Sequence, residues 1–191
     1  MYEAMEIAYY LIDYAYKTER EHYLTGLKMN YFLFIIQGAH LAILDRPAFS
    51  DKIYKIGCGV HLDKIYNEFK GYLGLTIPHT HTVVNPKHWG WLLKNLPYYD
   101  SYNIKESENE RFGTATYMCD KLNKDTEKII EGVFDNFYFL SLTGLNNLIR
   151  NFGCYNETQY SRNAEGYKPN AIKLDTMKKE FVNLLKQKEE E

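Results

Sequence analysis

Apolar positions along this chain recur mainly at helical spacing. Over residues 3–17, Met5, Ala8, Leu11, Ile12 and Ala15 line one face, and Glu3 and Glu6 sit at the positive end of the dipole such a helix would carry. The second helix is the clearest in the sequence. Thr25 is a fitting N-cap, because its hydroxyl accepts a bond from an amide that the first turn leaves unpaired. Leu27, Tyr31, Phe34, Ile35, Gly38, Leu41 and Ala42 then form a stripe, while Phe32, Leu33 and Ile36 make the other faces apolar too. A helix apolar all round belongs at the centre of a fold. Asp45-Arg46-Pro47 ends it, since proline supplies no amide and disfavours helix in the residue before it.

Residues 48–60 alternate weakly through Phe49, Ile53 and Ile56 and finish in Gly57-Cys58-Gly59, which predicts a short strand or an irregular turn. Leu62, Ile65, Tyr66 and Phe69 predict a short helix closed near Gly71. Periodicity then fails. Residues 72–113 hold Pro78, Pro86 and Pro97 among aromatic residues, and the local readings are a strand over 80–84, a helical turn or two over 89–96, and an exposed tip over 103–111. Pattern returns with Asp125 as cap of a helix through Ile129, Ile130, Val133, Phe134 and Phe137. Ser141 then caps another through Leu145, Leu148 and Ile149. A polar connection over 154–170 leads to a last amphipathic helix over 175–186, with Met177, Phe181, Leu184 and Leu185 on one side; residues 186–191 are expected to fray. The fold class is mainly α (α+β): a single domain over 1–191, compact, of about five to six helices, with a small β element and an irregular aromatic-rich insertion over 73–113.

Composition changes this picture little, except in one respect. Of 191 residues, 23 are Lys or Arg and 25 are Asp or Glu, a formal charge of −2 that argues against non-specific nucleic-acid binding. Aromatic residues make up 16%, including 18 Tyr, which excludes a disordered chain. The start, Met1-Tyr2-Glu3-Ala4-Met5-Glu6, lacks the positive region of a secretory signal. The most apolar stretch, 31–44, falls short of the roughly 20 residues of a membrane span. Cys58, Cys119 and Cys154 are far apart and form no CxxC pair, so reduced thiols in a cytoplasmic protein are expected.

Candidate chemistry is sparse. His61, His79, His81 and His88 crowd one region, and a metal-dependent hydrolase built on them is the alternative reading, although no HExxH or similar motif accompanies them. Ser141, Ser161 and Cys154 lie in no nucleophile signature, and Gly57-Cys58-Gly59 lacks the rest of a phosphate loop. No cofactor is expected. A second alternative is a nucleic-acid regulator using Lys173, Lys178, Lys179 and Lys186. The aromatic surplus around Tyr72, Trp89, Trp91, Tyr98, Tyr99 and Tyr102 fits a protein interface better, because Tyr and Trp combine large contact area with a polar handle.

The stretch Ile7-Ala8-Tyr9-Tyr10-Leu11-Ile12, the run Leu24-Thr25-Gly26-Leu27-Lys28-Met29-Asn30-Tyr31-Phe32-Leu33-Phe34-Ile35-Ile36-Gln37-Gly38 with Leu41-Ala42, the turn Pro47-Ala48-Phe49 and the helix Ile65-Tyr66-Asn67-Glu68-Phe69-Lys70-Gly71-Tyr72 together resemble the Panacea domain family. A fainter echo covers 122–182. Where that family has a glycine-proline-valine triplet, this chain reads Gly57-Cys58-Gly59-Val60-His61. The resemblance, to the SocA-like and GepA-like phage-associated proteins, implies a non-enzymatic cytoplasmic antitoxin, or an adaptor that delivers a toxin to a protease. It implies a protein partner, a cognate toxin or host factor; from charge and apolar pattern neither nucleic acid nor a membrane is expected, and a homodimer is left open. The residues expected to meet that partner are Tyr66, Phe69, Tyr72, Trp89, Trp91 and the turn at Gly59.

Overall fold

The computed structural model describes residues 1–57, 59–79, 122–159, 161–163, 166–168 and 170–189. The strand expected over 80–84, the helical turns over 89–96 and the tip over 103–111 lie outside the described residues. The described residues are mainly helical with a small β content, as the pattern predicts, in the form of two short antiparallel hairpins. In chain order they form α1 (Ala4–Lys17), α2 (Gly26–Leu44), β1 (Tyr54–Ile56), β2 (Gly59–His61), α3 (Asp63–Phe69), α4 (Lys124–Phe137), α5 (Leu142–Arg150), α6 (Gly153–Glu157), β3 (Ser161–Asn163), β4 (Gly166–Lys168) and α7 (Leu174–Glu189). β1 pairs with β2 and β3 with β4.

The apolar helix α2 is the hub: α1, α3, α4, α5, α7 and β2 all pack against it. Its Phe32, Leu33, Phe34 and Ile36 are completely or almost completely buried. Thr25 caps it as expected, its hydroxyl accepting from the Lys28 amide at 3.4 Å. It runs 19 residues, longer than the apolar stretch read from sequence, and is long and apolar enough to cross a membrane. Here the rest of the chain encloses it. Gly38 is what lets α7 lie close, because a Cβ there would enter the Phe181 ring.

Enclosure forces the polar side chains of α2 to find partners inside the protein, since a buried polar group without one costs about 1–3 kcal/mol. Each finds another segment. The Gln37 carboxamide accepts from the amides of Ala48 (2.9 Å) and Phe49 (3.2 Å) and donates to the Phe49 carbonyl (3.1 Å). Asn30 accepts from the Leu62 amide at 2.9 Å, fixing the start of α3, and donates to the Gly26 carbonyl. His40 has Nδ1 2.7 Å from the Arg46 carbonyl and Nε2 3.0 Å from the Thr126 hydroxyl. A carbonyl can only accept, so Nδ1 carries the proton and Nε2 accepts from Thr126. Lys28 reaches the other end of α4, donating from Nζ to the Tyr138 carbonyl at 3.2 Å.

A second seam joins α1 to α4. Tyr10 donates to Glu131 at 2.7 Å and Tyr14 to Asp135 at 2.9 Å, one helical turn apart on both helices; Arg20 closes the set on Asp135 at 2.7 Å. Burial, then the bond to its carboxylate, raises the Tyr14 phenol to about 12 and the Tyr10 phenol higher still.

Three local readings are corrected. Asn123, not Asp125, caps α4: its side chain accepts from the Thr126 amide at 2.8 Å, and its own amide donates to the Tyr2 hydroxyl. The connection over 154–170 contains α6 and the β3–β4 hairpin. The α6 N-terminus is held by a carboxylate from far along the chain, Glu180, which accepts from the amides of Gly153 and Cys154. The last helix extends through Glu189 rather than fraying from 186.

Replacing Gln37 with Met keeps the side-chain volume but strands three buried backbone groups, so urea unfolding should show a loss of about 3 kcal/mol with an unchanged m-value. A loss under about 1 kcal/mol would mean that water satisfies the turn instead. His40 gives a pH signature. Burial lowers its pKa from the ordinary 6.5, so the unfolded chain takes up the proton first as pH falls. Its contribution to stability is complete above 6.5 and is lost as pH drops from there towards the folded pKa. Chemical denaturation between about pH 7 and pH 5 should show stability falling with pH, with a shallower slope in His40→Gln.

Candidate functional site

The residues expected to meet a partner are dispersed in their roles. Tyr66 is half-buried, its ring 5.0 Å from that of His61, and Tyr72 is half-buried beside it in the turn after α3. Phe69 is 4% exposed and packs edge-on against Tyr9 at 6.4 Å, and Gly59 is buried because the Tyr31 hydroxyl occupies the place of a Cβ. Phe69 and Gly59 are therefore spent on the core rather than offered to a partner. Trp89 and Trp91 lie outside the described residues.

The histidines separate in the same way. His61 pairs with Asp63 at 3.0 Å, whereas His79 lies tilted against the Tyr16 ring and pairs with the buried Asp13 of α1 at 2.8 Å. His81 and His88 lie outside the described residues. Among the described residues no three His, Cys, Asp or Glu side chains converge as metal ligands. Cys154 is a poor nucleophile: burial, reinforced by the Glu180 carboxylate, pushes its thiol far above the usual range, so it stays protonated.

What the fold does assemble is an apolar groove. α4 and α7 both lie against α2, and between them its surface forms a floor of Ile35, Ala39 and Ile43. One wall is Ile129, Val133 and Phe137 of α4, the other Phe181, Leu184 and Leu185 of α7, with Leu148 and Phe152 closing an end. The groove encloses about 1040 Å³ and is open to solvent: Ile43 is 54% exposed, Leu184 43% and Leu185 40%. Charge is confined to its edge, where Asp125 and Lys128 stand on the exposed side of α4, and Asp45 pairs with Lys178 between the end of α2 and α7.

Gly132 sits in the α4 wall. A Cβ there would meet nothing within 4 Å, unlike Gly26, Gly38 and Gly59, each of which is filled by another part of the chain. The fold thus has no use for a glycine at the middle of α4. Its effect is a notch in the groove.

Elsewhere, Lys28 is 8% exposed, and burial lowers its pKa from 10.5. With its ammonium on the carbonyl that ends α4 and 5.9 Å from the Tyr23 ring centroid, it acts as a helix C-terminal clamp.

Comparison with protein-family models, curated proteins and solved structures finds no match to this chain. The groove was not read from sequence, because each wall is an ordinary amphipathic stripe when taken alone. A signal that could have found it is Gly132 inside an otherwise regular helix.

Because Gly132 faces open space, Gly132→Ala should stabilise the fold by about 1 kcal/mol in urea unfolding. A destabilised Gly132→Ala would mean that α4 requires the glycine for its own packing.

Proposed function

We propose that this chain is a non-enzymatic, cytoplasmic protein-binding module that neutralises its partner by covering it: an antitoxin, or a toxin-delivering adaptor, of the Panacea type carried by a phage or mobile element. The observation that carries the reading is the open groove of α2, α4 and α7 with its exposed Ile43, Leu184 and Leu185. An aliphatic trough with charge only at its edge suits the apolar stripe of a protein segment, most simply an amphipathic helix. Covering it releases about 25 cal/mol for each Å² of apolar surface removed from water. The resemblance supports the same class, since its quoted residues Lys28, Asn30, Gln37 and Gly38 are those that hold the framework of the groove together. Lys178, one of the four lysines a nucleic-acid regulator would use, is engaged with Asp45, which favours a protein partner over a polyanion.

The test is co-expression with the product of the reading frame adjacent to its gene. The wild-type chain should relieve growth arrest by that product. Ile43→Glu combined with Leu184→Glu should abolish relief while leaving the far-UV circular dichroism unchanged. Trp89→Ala with Trp91→Ala, assayed in parallel, reports whether the aromatic insertion shares the contact. Relief untouched by the groove variants would overturn the groove as the binding surface.

A further inference from the structure

His40 is buried inside α2 and tied to two other segments at once. Its Nδ1 donates to the carbonyl of Arg46, in the turn that leaves α2, and its Nε2 accepts from the hydroxyl of Thr126, in the first turn of α4. We propose that this imidazole is an acid-operated latch: neutral, it holds the N-terminal end of α4 against α2, and on protonation it lets that end go while the turn at Arg46 stays tied. Ile129, about one helical turn beyond Thr126, lines the groove, so the latch governs part of one wall. The inference concerns the wall itself and stands whatever the groove binds.

The two bonds respond differently to a proton. Nδ1 donates in both forms of the ring, so the bond to the Arg46 carbonyl survives. Nε2 accepts only in the neutral ring. Once protonated it becomes a donor, and the completely buried Thr126 hydroxyl must turn its own hydrogen towards another acceptor.

The charge created is also badly placed, because a buried cation is tolerated only when a counter-charge answers it. Burial opposes the charged ring first; the Arg46 guanidinium and the amino terminus, both positive, add to it, and only the bond to the Arg46 carbonyl works the other way. The remaining charged groups of the neighbouring elements are engaged or exposed. Asp45, in the same turn, pairs with Lys178 of α7, and Glu3, near the amino terminus, pairs with Lys64. On α4, Glu127 acts on Tyr10 of α1, while Lys124, Asp125 and Lys128 are exposed. The segment that yields is the end of α4. α2 is enclosed by the other helices, whereas Thr126 sits in a first turn flanked by exposed Lys124 and Asp125, and local opening starts where the least is buried.

Amide hydrogen exchange of the full chain, read by NMR at about pH 7 and about pH 5 and corrected for intrinsic rates, tests this. Protection over residues 126–130 should fall at least about fivefold at the lower pH, while that over α3 stays within about twofold. His40→Gln offers a donor to Arg46 and an acceptor to Thr126 but does not titrate, so its α4 protection should not change between the two pH values. Thr126→Val removes the latch bond outright and should lower the same protection already at pH 7. Four results would overturn the proposal: α4 protection unchanged by pH in the wild type, a loss that α3 shares equally, a loss that persists in His40→Gln, or Thr126→Val without effect at pH 7. The first two are read on the wild-type chain alone, so they decide the matter even where a variant fails to fold.

Discussion

The structure depends on one constraint: α2 has almost no face left for water, so every polar group along it must be answered by another segment. An unanswered buried amide or imidazole would cost as much as a sizeable share of a domain's stability. Gln37 is answered by the turn at Ala48 and Phe49, Asn30 by the first amide before α3, His40 by Arg46 and Thr126, and Lys28 by the end of α4. These bonds do more than satisfy atoms. Each specifies where a segment distant in sequence must arrive, so the polar residues of the hub set the arrangement and the apolar ones supply most of the driving force.

How much of this was legible in the sequence follows from the distance over which each element is stabilised. α1, α2, α5 and the core of α4 announce themselves because their apolar spacing, and caps such as Thr25 and Ser141, are local. α6 is different. It is one turn of helix that exists because the Glu180 carboxylate, 26 residues beyond Cys154, meets its first amides, and no local pattern encodes that. The shift of the α4 cap from Asp125 to Asn123 has a similar origin. Both residue types cap well, and the choice is made by Tyr2, whose hydroxyl receives the Asn123 amide from the other end of the chain. Phe69 and Gly59, expected at a surface, are drawn inward by Tyr9 and Tyr31, contacts across sequence gaps that spacing does not report.

The candidate site was hidden for a related reason. An amphipathic stripe says that a helix has an inner face, not whether the neighbour it faces is complete. Here α4 and α7 both bring apolar side chains to α2, and Ile43, Leu184 and Leu185 stay exposed beside them. The tyrosines, by contrast, divide as composition alone could not say: Tyr10 and Tyr14 are bound to carboxylates along a seam, and Tyr66 and Tyr72 remain half-open beside α3.

The distribution of chemistry over the described residues bears on what kind of work this molecule does. Its buried polar side chains are tied into structure, Gln37, Asn30 and His40 on backbone and Thr126 and Asp13 on His79, as is the half-buried Glu180 on the α6 amides. A group held this way has its lone pairs and protons committed and lies against protein rather than in an open cavity, the reverse of what acid–base work on a substrate needs. The open groove is lined instead mainly by aliphatic and aromatic carbon, which excludes water and presents a shape. On the docking reading proposed above, such a surface would select by steric fit, so that bulk added within the groove would perturb it more than loss of a charge on its edge.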